Sequence, residues 1–448
     1  MRDDLGDWRI WMSRLIVLTF AALAGLSVVS FTWLCEHALS AFGIGLAHAW
    51  WLPFLWTPAC LATLVWVTRR YAAGATGSGI PQVMAALDPS VGDRERGMFV
   101  SLRLSIAKAV LTAGGLLGGL AMGREGPSVQ IAAGVMHHAR RYMPQGAPVS
   151  THGLLVAGGA AGIAAAFNAP LAGIMFAIEE LSRRFEQRNS GLIIAGIVLA
   201  GLMAVSAFGN STYFGVIRVP ALAPGFLFPA LLVTLASGAL GGLFSRLLHA
   251  SLTDTSSRTG RWRQARPVAF AGACGLGIAV IGWASGGSTF GSGYEYTKQL
   301  LDGHTDLPLL YVTLRFVATW LAVWSGVPGG VFAPSLAIGA GLGVDVAVFA
   351  GFEGSSSALI ALGMAGFLAA VTQAPLTAFV IVMEMVDGHA MVLTLMAAAL
   401  GASLVSRWIS RPLYTSLMHA QLARLTGSPA NDAEPPKSLD STSPPARH

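Results

Sequence analysis

Long apolar runs recur along this chain from about residue 11 to residue 406, and they limit its fold more than any other feature. The stretch Ile10–Leu34 carries a single charged residue, Arg14. GLIIAGIVLAGLMAVSAF (191–208), Phe226–Leu248 and Val392–Val405 with its flanks are comparable. A helix needs about 20 apolar residues to cross a bilayer. In lipid, every backbone N–H and C=O must find a partner within the protein, so helices or closed barrels are the available solutions. Continuous runs of this length, without strand alternation, predict helices. Charged residues make up 11% of the chain, against about 25% in a soluble domain, and hydrophobic residues make up 54%. The expected class is an all-α polytopic membrane protein. The first run is read as a retained helix rather than a cleaved signal, because it is long and follows Asp3, Asp4 and Asp7.

The net charge of +6 is carried largely by short clusters between apolar runs: Arg69-Arg70, Arg140-Arg141, Arg183-Arg184 and Arg258 to Arg266. That distribution marks membrane topology rather than the single basic face of a nucleic-acid binder, so no nucleic-acid partner is expected. Cys35, Cys60 and Cys274 lie singly in apolar surroundings and read as small buried residues. The histidines form no metal-binding pattern, and neither a metal nor a cofactor is expected; His137-His138 reads as interfacial. Residues 427–448, rich in Pro, Ser and charge, read as a disordered cytoplasmic tail too short for a regulatory domain. Residues 1–426 then form the transmembrane domain.

Between Lys108 and His137 only Arg124 and Glu125 carry a formal charge, in the stretch GREGPS (Gly123–Ser128). Ionisable residues inside an apolar run are costly and mark candidate functional sites. The chain also repeats itself. GREGPSVQIAAGV followed by AGIAAAFNAPLAGIMFAIEEL resembles GGVFAPSLAIGAGLGV followed by AGFLAAVTQAPLTAFVIVMEMV. Pro127 matches Pro334 at a shift of 207, while Pro170 matches Pro375 and Glu179 matches Glu384 at a shift of 205. Two related halves, approximately 11–208 and 226–406, follow. Transporters built from such repeats place their sites near the midplane where the halves meet.

Proline suits the first turn of a helix, so helices are expected to start at Ile80-Pro81, Gly126-Pro127, Ala169-Pro170, Ala333-Pro334 and Ala374-Pro375. A helix that begins inside the membrane aims free N–H groups and a positive dipole end at whatever precedes it, which suits an anion. One such terminus is worth only about 0.3–1 kcal/mol, up to about 2 when partly buried. Several must therefore converge to hold a dehydrated ion. The candidates are GSGIP (Gly77–Pro81, with Gly79), GREGP (Gly123–Pro127, with Gly126) and GVFAP (Gly330–Pro334). Ser78 adds a hydroxyl donor.

These three motifs in this order, together with NAPLAG and RPLY (Arg411–Tyr414), resemble the CLC family of chloride channels and chloride/proton antiporters, in its bacterial type without CBS domains. The resemblance covers most of the chain. It implies two inverted-topology repeats of tilted and partly spanning helices, in a homodimer with one pore per subunit in the inner (plasma) membrane. Carried over by motif, Ser78 and Tyr414 would coordinate chloride with the backbone around Val331 and Phe332. Glu125 would be the gating glutamate, and Glu180, in AIEEL, the internal proton glutamate. Lys108 would tune the local field. A carboxylate that competes with chloride for one seat, and yields it on taking up a proton, couples the two ions without large domain motion. From the residues alone, Arg124 could be tied to carbonyls or a carboxylate. Glu179-Glu180 could cap a helix at an interface, and Glu384 and Asp387 read as structural.

A passive chloride channel of the same family is the alternative. Family exchangers keep a glutamate where Glu180 stands, which favours exchange, and a serine in GSGIP goes with chloride. A hydrolase built on Ser78 or Ser285 finds no GxSxG elbow, and neither His152 nor His304 is placed as its base. ATP-driven transport finds no P-loop. No enzymatic activity is expected.

Overall fold

The computed structural model describes residues 8–147, 149–182, 190–209, 212–216, 225–304, 308, 310–352 and 356–426. Arg183-Arg184, the aspartates before Trp8 and the 427–448 tail lie outside them. The first half runs through α1 (Trp8–His48), α2 (Leu52–Tyr71), α3 (Ile80–Leu87), α4 (Asp93–Phe99), α5 (Leu102–Leu117), α6 (Glu125–His138), α7 (Thr151–Phe167), α8 (Pro170–Phe176) and α9 (Ser190–Phe208). The second runs through α10 (Leu227–Thr253), α11 (Arg258–Ala265), α12 (Pro267–Ala284), α13 (Tyr294–Leu301), α14 (Tyr311–Trp324), α15 (Phe332–Ala350), α16 (Ser356–Thr372), α17 (Pro375–Met385), α18 (Val392–Ile409) and α19 (Leu413–Thr426). No strand occurs among the described residues. Among the described residues, seven helical stretches are long and apolar enough to span, including Trp8–His48, Ser190–Phe208, Leu227–Thr253 and His389–Ile409. The protein is an all-α, multi-pass membrane protein.

All five helices expected from prolines begin at or within two residues of them, at Ile80, Glu125, Pro170, Phe332 and Pro375. The repeat is equally plain. Helix α16 restates α7 at a shift of 205, from 151 to 356 at the start and from 167 to 372 at the end. Each is closed by a residue in the left-handed region, Asn168 (φ 54°) and Gln373 (φ 59°), followed by Ala-Pro and the next helix. Gly123 and Gly330, 207 apart, exchange both backbone hydrogen bonds in an antiparallel bridge, each at 2.8 Å. Equivalent residues pair symmetrically in this way across a local two-fold axis, as the two inverted repeats of the expected fold would.

Helices α7 and α16 are buried along nearly their whole length. Their small residues permit close approach, as in membrane helix packing generally. A Cβ at Gly158 would stand 2.7 Å from the Ala133 Cα of α6, and one at Gly343 would stand as close to the Ile360 amide nitrogen of α16. These tight pairs fix where α6 and α15 begin, and so where the broken ends meet.

Candidate ion site at the helix starts

The loop before α3 is pinned from both halves. Lys108, fully buried on α5, donates its ammonium to the carbonyls of Ala75 (2.8 Å) and Gly77 (2.5 Å). Gly77 O also accepts the Gly329 N–H at 3.1 Å. Gln130 of α6 donates to Gly74 O (2.9 Å) and Phe99 O (2.7 Å). Gly77 and Gly79 take φ of 72° and 106°, where a side chain would be strained. At Gly79 there is no space either, since a Cβ would meet Gly126 O at 2.8 Å. Gly126 is equally confined: a Cβ there would land on Ser78 Oγ. GSGIP and GREGP are therefore in backbone contact.

GVFAP closes the third side through the Gly123–Gly330 bridge. Glu125, the first residue of α6, is fully buried. Its Oε2 accepts the Ala333 N–H in the first turn of α15 at 3.3 Å, and its Oε1 has no protein partner. The carboxylate thus lies between two helix starts, occupying a donor that an anion would use. It engages the amide one residue beyond the expected Val331–Phe332 pair, both of which are buried beside it. The rings of Phe332 and Tyr414 lie 5.9 Å apart, and Phe332 stacks on Phe167 at 6.3 Å. The Ser78 and Tyr414 hydroxyls are buried, and neither meets the geometry of a hydrogen bond to another protein group. Buried polar atoms are seldom left so. Two buried hydroxyls and converging helix starts bring together donors of the kind that suit an anion. Pro81, Pro127 and Pro334 each stand in the first turn behind these donors.

Glu180 lies in a π-helical turn, Ala177–Leu181, that continues α8, and interacts electrostatically with Tyr414. π-turns are rare and cluster at functional sites. Its neighbour Glu179 does something else. The Glu179 carboxylate accepts the N–H groups of Leu376 (3.1 Å) and Thr377 (2.7 Å) at the start of α17. Glu384 of α17 reciprocates, accepting those of Leu171 (3.2 Å) and Ala172 (2.7 Å) at the start of α8. Each half thus caps a helix of the other. Glu384, read as structural, makes a structural contact, and Glu179, whose role the sequence left open, caps a helix at the interface of the halves.

Arg124 is tied to a carboxylate and a carbonyl. It donates to Glu36 Oε1 (2.9 Å), Thr32 O (3.4 Å) and Tyr213 Oη (3.2 Å). Neither Glu36 nor Tyr213 carries a local mark in sequence. Arg315 is a buried guanidinium that the sequence reading passed over; it donates to Thr289 O (2.8 Å) and Gly291 O (2.7 Å). It is also a lone charge in an apolar run, YVTLRFVATWLAVW, so the signal that singled out GREGPS would have found it. Among the described residues, no group of three or more His, Cys, Asp or Glu could hold a metal.

The model of a family described as voltage gated chloride channel matches residues 60–407, well over half of the chain. The chain belongs to the CLC family. It is 31% identical over 427 residues to the H(+)/Cl(-) exchange transporter ClcA of Cronobacter sakazakii, covering 90% of this chain and 88% of that one. It is 30% identical over 449 residues to a ClcA of Klebsiella pneumoniae, covering 97% and 93%. Among solved structures, a slow cyanobacterial Cl-/H+ antiporter superposes with a TM-score of 0.75 at 24% identity, over 93% of this chain and 99% of that one. A CLC-type fluoride/proton antiporter gives 0.71 at 22% identity, over 90% and 96%. The CLC fold thus extends over nearly the whole chain.

Proposed function

We propose that this chain is a secondary active chloride/proton antiporter in which Glu125 and chloride compete for one seat. The observation that carries this reading is the contact of Glu125 Oε2 with the Ala333 amide. The carboxylate holds a helix-start donor; Ser78 Oγ lies against Gly126, the next residue, and the Tyr414 ring lies 5.9 Å from that of Phe332, next to Ala333. A protonated Glu125 no longer has the charge that seats it there. It withdraws, and chloride takes the donors. Deprotonation restores the competitor and expels the ion. Because the donors are amides and hydroxyls rather than lysine, the ion is bound without being trapped. Lys108 acts indirectly, by fixing the carbonyls of the GSGIP loop.

Glu180 is the internal proton carrier in this reading, supported by its place in the π-turn. The names of the relatives, exchange transporters, favour exchange over passive conduction. Chloride is the favoured anion through Ser78. The working form is a homodimer with a pore in each subunit, in the inner membrane, and residues 1–426 make up its transmembrane domain.

The test is reconstitution in liposomes with separate chloride and pH gradients. Chloride running down its gradient should drive protons the opposite way against theirs. Chloride flux without proton movement would place the protein among the channels.

A further inference from the structure

Arg124 stands between Gly123, which pairs with Gly330, and Glu125, whose carboxylate holds the Ala333 amide. It is the N-cap residue of α6, and its side chain is only 12% exposed. A guanidinium buried this far calls for a counter-charge. Glu125 is the adjacent carboxylate in sequence, yet the two form no ion pair among the described residues. Arg124 pairs instead with Glu36 of α1, 88 residues away, to whose Oε1 its Nη1 donates at 2.9 Å. The same nitrogen reaches Thr32 O at 3.4 Å.

The other end of the guanidinium is tied to a wall of the ion site. Its Nη2 donates to Tyr213 Oη at 3.2 Å. The Tyr213 ring meets Phe167 edge-on at 6.0 Å, Phe167 stacks on Phe332 at 6.3 Å, and Phe332 directly precedes Ala333. Tyr213 is held in turn by Tyr294 of α13, which donates to Tyr213 O at 2.9 Å. A full positive charge fixed in this position would attract whichever anion occupies the helix starts. Transport needs an ion bound weakly enough to leave again. The Glu36 side chain is 54% exposed. An ion pair this open to water adds little stability, so the bridge is distinguished by the charge it sets against Arg124 rather than by its strength as a staple.

We propose that Glu36 is a positioning residue of the anion seat, which holds Arg124 apart from Glu125 and offsets its charge so that no anion is trapped there. The inference rests on the reading of chloride and Glu125 as competitors for one seat. With Glu36 in place, the arginine and its distant partner are together neutral, and the amides and hydroxyls are left to hold the ion. Without it, the uncovered guanidinium adds its attraction to theirs. A bridge that served only to fasten α1 to α6 has the opposite signature, because loosening it would disorder the seat and weaken its hold on the ion.

The test is isothermal titration calorimetry of chloride into the detergent-purified full chain in chloride-free buffer. Glu125→Gln is the parent, since it removes the competing carboxylate. Adding Glu36→Gln should tighten chloride binding about fivefold, less than the tenfold or more that a charge within about 4–6 Å produces, because Glu36 stands beyond the guanidinium and half in water. Glu36→Ala removes the same charge and should match it. Glu36→Asp keeps the charge, and Tyr213→Phe removes only a neutral partner of Arg124; each should stay within about twofold of the parent. Unchanged or weaker binding in a folded Glu36→Gln or Glu36→Ala variant would overturn the proposal, as would failure of both to fold. Tightening by Glu36→Asp or Tyr213→Phe as large as that by Glu36→Gln would do the same. A parent that binds no chloride at all would instead remove the transport reading beneath it, and the inference with it.

Discussion

The cross-caps between the halves make a quantitative prediction. Glu384→Gln keeps one acceptor oxygen for the start of α8 and removes one charge-assisted hydrogen bond. Such bonds contribute about 1.5–3 kcal/mol each. A charge at a helix start contributes about 0.3–2 kcal/mol, which overlaps with the same contact and is not added. The expected cost is about 2 kcal/mol, and Glu179→Gln at the start of α17 should match it, since the two contacts are near copies in length. The readout is the inactivation half-life of purified protein at fixed elevated temperature. A 2 kcal/mol loss corresponds to a shortening of up to about 30-fold, reached when the contact is absent from the unfolding transition state. Glu95→Gln is the control, because that carboxylate makes a single exposed contact, to Gly92 N at 3.2 Å, and should cost under about 1 kcal/mol. If both interface variants fall within about twofold of wild type, the cross-caps do not hold the halves together. If one matters and the other does not, the symmetry of the two contacts is energetically empty.

Three further outcomes test the ion path. Glu125→Gln should leave chloride flux in liposomes and remove proton coupling, so that the reversal potential ceases to follow an imposed pH gradient; a response like that of wild type would refute the competition. Glu180→Gln should slow proton transport while chloride still passes, measured as the ratio of the two fluxes, and an equal loss of both would point to misfolding instead. Gly126→Ala drives a methyl into Ser78 Oγ and to within 2.9 Å of Ser78 O. Overpacking there costs about 1–3 kcal/mol, and the displaced hydroxyl should abolish most chloride flux at normal expression.

The helix starts were legible because proline has a fixed place in the first turn, and all five prolines obeyed it. The halves were legible because the shift between them is nearly constant, and the backbone keeps it through the left-handed residues at 168 and 373. Span ends were less so. Helix α1 runs to His48, well past Leu34, because Glu36 and His37 end the apolar stretch without ending the helix. Tyr414 had no local mark that would bring it to Ser78; only the likeness to a family placed it there. Glu36 and Tyr213 stayed hidden for the same reason, since a carboxylate 88 residues from its arginine leaves no pattern in composition or spacing.

The bridge between Gly123 and Gly330 sets a limit on how the protein can move. Rocking one half against the other would break a mutual pair of backbone hydrogen bonds, beside the very groups that would hold the ion. A swing of the side chain at position 125 leaves that fastening intact. A mechanism confined to that side chain needs no microsecond-to-millisecond hinge motion of domains, so the fastening can stay closed through a whole cycle.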